Sequence, residues 1–160
     1  MNHIEGIYKL STIKAFALFV ILDILCMGMG MGVPIFNILL GFAVGWYLVK
    51  RVSLDTSEVR VVLRQLLIYS SVTVCVTFFG MVLVWGWSIT MLWKSQAEIV
   101  NFGIPLILYE PRASLIGWLV LMIVISPFLQ LLTTVFAGYL TLLSVYRKEK
   151  TQDITSQGTS

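Results

Sequence analysis

Residues 15–49, AFALFVILDILCMGMGMGVPIFNILLGFAVGWYLV, form an almost unbroken apolar stretch that decides the fold of this 160-residue chain. At 1.5 Å per residue the stretch is too long for one membrane span and just long enough for two short ones. Its glycines Gly28, Gly30 and Gly32 lie at the middle, where a tight turn would fall. The stretch therefore predicts two membrane helices joined as a tight hairpin.

The composition of the whole chain agrees with a membrane environment. Hydrophobic residues make up 58% of the chain and charged residues only 12%, with a mean hydropathy of +0.92. Soluble domains carry about 25% charged residues, so the lipid bilayer is the expected solvent and partner of this chain. The net charge of +3 is small and lacks the basic face that nucleic-acid binding requires, so we expect no nucleic-acid partner.

The apolar runs predict an all-α integral membrane bundle of four helices within a single domain. We expect a lead at residues 1–14, a four-span domain at 15–146 and a disordered tail at 147–160. The loop at 94–112 is apolar and should lie along the membrane surface. In the last span, Pro127 predicts a kink within one helix. The predicted spans are residues 12–27, 33–49, 66–93 and 113–146.

Charge predicts how the bundle is oriented. The lead, the 50–64 loop and the tail together hold nine of the eleven basic residues, and only Lys94 and Arg112 lie elsewhere. Positive residues concentrate on the cytoplasmic side of membrane proteins. We therefore expect both termini in the cytoplasm and a multi-pass protein of the cell membrane. Asp55, followed three residues later by Glu58, also predicts a helix start near Asp55.

The hairpin register predicts which residues lie at the same depth. If the turn centres on Gly30, Asp23 is level with Asn37, and an Asp23–Asn37 hydrogen bond is expected. Gly41 and Gly45 follow Asn37 at helical spacing and form the small-xxx-small pattern that lets membrane helices approach closely. We expect these glycines to pack against span one; the alternative is contact with another subunit.

Asp23 is the one ionisable residue deep inside a predicted span. Placing a carboxylate there is unfavourable by roughly 2.5–3.5 kcal/mol on insertion scales, so such residues are functional candidates. One interpretation is structural: a neutral or amide-paired Asp23 locks the hairpin. The alternative is a small oligomeric transporter or channel that moves protons, cations or a small solute through Asp23. Because no second intramembrane acid or base is present, we favour the structural interpretation.

A second set of small and polar residues follows helical spacing on span four: Ser126, Gln130, Thr134 and Gly138. On span three, Thr77 and Gly80 fall at matching depths, with Gly80 level with Ser126 and Thr77 with about Gln130. Such residues usually join membrane helices to one another. We expect packing within the bundle; the alternative is a pore or substrate path.

Soft sulfur ligands cluster near the predicted turn: Cys26, Met27, Met29 and Met31. Thiolate and thioether ligands select Cu(I), so these residues are a weak copper candidate. The interpretation that we favour is that the methionines fill irregular space around the glycine turn. We expect no other metal site and no cofactor, and the two cysteines lack the spacing of a zinc site or a disulfide framework.

No spacing typical of catalysis is present in the chain. A Ser/His/Asp set, HExxH, GxSxG and a phosphate-binding loop are all absent from the sequence, so we expect no enzyme. The function that we expect is a non-enzymatic accessory or scaffold component that acts through helix packing. Its partner would be a second copy of the chain or another membrane subunit.

Overall fold

The computed structural model describes residues 11–29, 34–56, 58–104, 106 and 108–157, with side chains only as far as residue 147. Within these residues the chain is helical and contains no strand. A 3-10 helix at Gly86–Trp93 and a π-helical segment at Leu121–Ile125 accompany the α-helices. The α-helices are α1 Thr12–Met29, α2 Ile35–Val52, α3 Val59–Trp85, α4 Gln96–Asn101, α5 Pro111–Val120 and α6 Ser126–Gln157.

Among the described residues, four helical segments are long and apolar enough to cross a membrane, which confirms the all-helical expectation and agrees with four spans. Their bounds are Thr12–Met29, Ile35–Val52, Val59–Trp93 and Pro111–Arg147. The centre of the predicted turn, with Gly30, Met31 and Gly32, lies outside the described residues, so the tightness of the hairpin stays a prediction.

The helix of the third span begins later than the sequence predicts. Asp55 lies in a turn that extends α2, and its backbone N–H donates to the carbonyl of Val52 at 3.0 Å. Glu58 is the N-cap of α3, with an extended backbone and no side-chain cap. The Asp55 capping prediction is therefore wrong, because the chain first completes the C-terminal turn of α2.

The fourth span changes its helical geometry just before Pro127. Proline has no backbone N–H, so the carbonyl four residues earlier loses its α-helical partner. The chain responds with the π-helical segment, in which the Ser126 N–H donates to the Leu121 carbonyl, five residues back. The sequence located this irregularity, although it did not specify a π turn.

The helix α6 also continues further than expected. It runs to Gln157, through most of the predicted disordered tail at 147–160. Residues 147–150 are Arg, Lys, Glu and Lys, all good helix formers, and they can extend a helix that the membrane has already nucleated. The disordered-tail expectation therefore fails for the described part of this segment.

The closest packing in the bundle joins α2 to α6. A Cβ added to Gly45 would collide with the Thr134 carbonyl oxygen and lie 2.9 Å from the Gly138 nitrogen. A Cβ on Gly41 would lie 2.7 Å from the Gln130 carbonyl oxygen. Residue numbers rise together along this contact, so the two helices run parallel.

Gly41 and Gly45 therefore pack against the fourth span, and the expectation that they pack against span one is wrong. Register fixes depth in the membrane but does not say which neighbour a face meets. Here α6 presents small residues of its own to the glycines, so two backbones can approach closely. Both glycines are buried inside the chain, and the other predicted use, contact with a separate subunit, stays a prediction.

Two apolar clusters occupy the two ends of the bundle. One contains Met27, Met81, Ile99, Ile104, Leu115, Trp118, Leu119 and Met122. The other contains Val49, Val52, Val62, Leu66 and Leu142. Because Ile99 and Ile104 are buried in the first cluster, the segment after the 3-10 helix covers one end of the bundle. The placement of this segment along the membrane surface stays a prediction. A polar layer separates the two clusters.

Candidate functional site: a buried polar cluster around Asp23

Asp23 lies at the centre of the polar layer and is only 1% exposed. Its Oδ1 accepts hydrogen bonds from Asn37 Nδ2 at 3.1 Å and Gln130 Nε2 at 3.5 Å. Its Oδ2 accepts from Thr77 Oγ1 at 2.9 Å. Since these partners lie on α2, α6 and α3, one carboxyl group on α1 is bonded to the other three spans.

Each helix supplies its polar side chain from a stripe that is otherwise small or apolar. On α1, the buried residues Phe19, Asp23 and Met27 recur every fourth position and form its only buried face. On α2, Asn37 begins the face that continues with Gly41 and Gly45. The close approach of α2 to α6 brings the two amides to the same oxygen of Asp23.

The hydroxyl of Thr77 gives the cluster two hydrogen-bonding arrangements. Its Oγ1 lies 2.9 Å from Asp23 Oδ2 and 3.1 Å from the carbonyl oxygen of Thr73. A threonine hydroxyl has one proton, so it donates to only one of these acceptors at a time. When it donates to Thr73, its oxygen can accept a hydrogen bond from the O–H of a neutral Asp23. The cluster can therefore hold Asp23 as a carboxylate or as an acid.

The two amides each leave one acceptor without a partner. Asn37 Oδ1 and Gln130 Oε1 are buried and have no hydrogen bond in the described part of the chain. Rotation of either amide would present its oxygen to a protonated Asp23 in place of its nitrogen. The amides thus add a second way to satisfy the acid form without moving a helix.

The remaining residues of the predicted α6 stripe are buried in the bundle interior. The hydroxyl of Thr134 donates to the Gln130 carbonyl within α6 at 2.7 Å. Gly138 packs against the Leu66 side chain of α3, and a Cβ there would lie 2.5 Å from its Cδ2. Ser126 is also buried, and its Oγ has no partner among the described residues. The stripe therefore faces α2 and α3.

Gly80 has a different neighbour from the one that register predicts. A Cβ on Gly80 would lie 2.5 Å from Met27 Cε of α1, and no atom of Ser126 lies within 4 Å of that position. Spans three and four pack against each other, as the stripe predicts, but the atoms directly beside Gly80 belong to α1 and not to Ser126. As with Gly41, residues at matching depth need not be adjacent, because the face of the helix that carries a residue decides its neighbour.

The predicted copper ligands diverge where the structure describes them. Met27 is buried against Gly80, whereas Met29 is 63% exposed and Cys26 is half-buried. Met31 lies outside the described residues. Met27 belongs to the apolar cluster at that end of the bundle, which fits its interpretation as a packing residue. Gly28 belongs to the last turn of α1, and a Cβ there would meet no atom within 4 Å.

Sequence reasoning did not join Thr77 and Gln130 to Asp23. It placed Asp23 level with Asn37 and, separately, Thr77 level with Gln130, but it did not relate the two pairs. The available signal was composition: these four residues are deep, polar and surrounded by apolar sequence. In lipid such groups satisfy one another, so a shared cluster could have been predicted.

A multi-pass membrane protein with four candidate spans, bonded to one another through a buried carboxyl group, is the class that the fold and this cluster define. Comparison of the chain with protein-family models, with curated proteins and with solved structures gave no match.

Proposed function

We propose that this protein is a non-enzymatic membrane component, an accessory subunit or scaffold, that acts through helix packing with itself or with a partner subunit. The observation that carries the proposal is that the polar cluster is buried away from solvent. Asp23, Asn37 and Gln130 are each 1% exposed and Thr77 is 0% exposed, so solvent does not reach the carboxyl group. A transport residue needs access from at least one side of the membrane.

The hydrogen bonds of the cluster support the same role. All three partners of Asp23 come from other spans, so the carboxyl group fixes the relative depth of four helices. Apolar packing alone specifies depth weakly in lipid, because sliding a helix exchanges one apolar contact for another. A buried polar contact is lost when a helix slides by one turn, which makes the cluster suited to holding one arrangement.

A second candidate function, a small proton or cation transporter, is favoured by one observation. A cavity between α1, α2 and α3 reaches Phe19 and Thr73, each one helical turn from a residue of the cluster. If the helices separated over the one helical turn between the cavity and the cluster, the cavity would connect Asp23 to one side of the membrane. The Thr77 hydroxyl, with its alternative acceptors, could then relay a proton.

A flux measurement separates the two candidates. The full chain is reconstituted into liposomes that contain a pH-sensitive dye, and proton flux is followed after a potassium gradient with valinomycin sets the membrane potential. Sodium flux is measured in parallel with a sodium-sensitive dye. For a scaffold we expect flux equal to that of empty liposomes, both for the natural chain and for Asp23→Asn.

The contradicting result is flux through the natural chain that Asp23→Asn abolishes while the variant stays folded, because an amide cannot cycle a proton. Thr141→Val is the matched control, since among the described residues this buried hydroxyl bonds only to the Ala137 carbonyl of its own helix, at 2.8 Å. Loss of flux in Asp23→Asn but not in Thr141→Val would establish the transporter in place of the scaffold.

A further inference from the structure

The cavity beside α1 has a shape and size suited to a ligand. Its volume is about 380 Å³, within the range of small-molecule sites. Along α1 it extends from Thr12 to Leu22, which is roughly 15 Å at 1.5 Å per residue. α1 is the least buried of the four candidate spans and touches the bundle through one narrow face, so a space remains next to it.

The cavity is mostly apolar along its length, and its charged residues lie at one end. Aromatic and aliphatic side chains of three helices form its walls, among them Phe16, Phe19, Leu22, Leu40, Val44 and Val72. The polar lining residues Thr12, Arg51 and Asp55 come from the start of α1 and from the end of α2 and the turn after it, so they lie together at one end. Gln65, in the second turn of α3, lies near the same end, and the other polar lining residues of α3, Tyr69 and Thr73, lie further along that helix. This distribution matches an amphiphile with one charged end.

Arg51 is held at that end by two neutral groups. Its Nη1 donates to the Tyr47 hydroxyl at 3.1 Å and its Nη2 donates to Thr12 Oγ1 at 2.9 Å. Neither bond neutralises the positive charge, and a guanidinium has five N–H donors, so three remain for a further acceptor. Arginine binds phosphate with paired, charge-assisted hydrogen bonds. Among the described residues, Asp55 is the one carboxylate that lines this end of the cavity.

We propose that the cavity is a binding site for an anionic phospholipid, with one acyl chain between α1, α2 and α3 and the phosphate on Arg51. Charge complementarity supports an anionic headgroup, and the bilayer supplies acyl chains directly beside an apolar cavity. Arg51 lies in the last turn of α2, at the start of the basic 50–64 segment, which the charge distribution predicts to be cytoplasmic. That leaflet carries the anionic lipids.

Native mass spectrometry of the purified full chain tests the proposal. The chain in detergent is titrated with phosphatidylglycerol or with phosphatidylcholine of identical acyl chains. We expect tighter binding of phosphatidylglycerol and about tenfold weaker binding after Arg51→Gln, as loss of a charged hydrogen-bond donor implies. Arg64→Gln is the matched control, because Arg64 is exposed on α3 and does not line the cavity. Asp55→Asn should bind at least as tightly as the natural chain.

A second pair of variants tests the cavity itself. Ala15 lines the cavity, whereas Ala17 is exposed on the same helix and does not. Ala15→Phe should fill the space and abolish lipid binding, and Ala17→Phe should leave it unchanged. The melting temperature of each variant is recorded, and if Ala15→Phe does not fold, the Arg51 and Arg64 pair decides the outcome alone.

Four results would overturn the proposal. Equal binding of phosphatidylglycerol and phosphatidylcholine would remove the role of the headgroup. Equal weakening by Arg51→Gln and Arg64→Gln would indicate general surface attraction, and equal weakening by Ala15→Phe and Ala17→Phe would place the lipid outside the cavity. Inorganic phosphate at the same concentration should not displace the lipid; displacement would mean that a free anion, without an acyl chain, is the ligand.

Discussion

Substitution of three glycines by alanine should reveal which helix contacts hold the bundle together. At Gly45 the new Cβ would meet backbone atoms of Thr134 and Gly138, which cannot move without separating α2 from α6. At Gly138 it would meet the Leu66 side chain, which can rotate. At Gly117, on α5, no atom lies within 4 Å of the new Cβ. The new Cβ therefore meets rigid backbone at Gly45, a flexible side chain at Gly138 and open space at Gly117.

The expected free energies follow from these obstacles. Overpacking a tight contact is unfavourable by about 1–3 kcal/mol, and we expect Gly45→Ala near the upper end of that range. The loss of unfolding free energy in Gly138→Ala should be smaller, because the Leu66 side chain can move aside. Gly117→Ala should be neutral or stabilising by up to about 1 kcal/mol, since alanine is the better helix former.

Reversible unfolding in mixed detergent micelles, followed by circular dichroism, measures the three free energies of unfolding. The order Gly45→Ala, Gly138→Ala, Gly117→Ala, from most to least destabilised, is the expected result. If Gly45→Ala is as stable as Gly117→Ala, the α2–α6 contact is not a close backbone contact and the packing described above is wrong.

The remaining predictions concern the cluster and the topology. Thr77→Val should destabilise the bundle by about 1–3 kcal/mol, because it removes the hydroxyl that donates to Asp23; Thr141→Val, measured by the same unfolding assay, should have a smaller effect. Single cysteines at Asp55 and Gln96, in a background without the two natural cysteines, should react with a membrane-impermeant maleimide from opposite sides of the membrane. Labelling of both from the same side would contradict the four-span topology.

The sequence predicts the coarse fold because that part depends on local composition. Four apolar segments separated by charged or glycine-rich turns fix the number of candidate spans whatever their neighbours are. Pro127 marked the irregularity of the fourth span for the same reason, since a missing N–H acts on its own helix. These features need no knowledge of tertiary contacts.

The contacts between helices were harder to predict, because equal depth does not determine adjacency. The small face of α2 at Gly41 could pack on any neighbouring span, and only the matching small residues of α6 decided the partner. The pairing of Asp23 with Asn37 was predictable because a short turn centred on Gly30 places both residues at the same depth. Thr77 and Gln130 come from helices whose connections are longer, so the common cluster required the three-dimensional arrangement.

The free energy of unfolding of Asp23→Asn, compared with that of Asp23→Leu, tests most directly whether the carboxyl group joins the four spans. An amide keeps one acceptor for Asn37 and Gln130, and its N–H can donate to Thr77, whose hydroxyl then donates to Thr73. We therefore expect Asp23→Asn to lie within about 1 kcal/mol of the natural chain, the size of one typical hydrogen bond.

Leucine satisfies none of these groups, so Asp23→Leu should lose about 1–3 kcal/mol for each amide left unpaired. The predicted result is a large difference in the free energy of unfolding between the two variants. If Asp23→Asn is as unstable as Asp23→Leu, the hydrogen bonds of the cluster do not hold the helices together, and the structural role of Asp23 is contradicted.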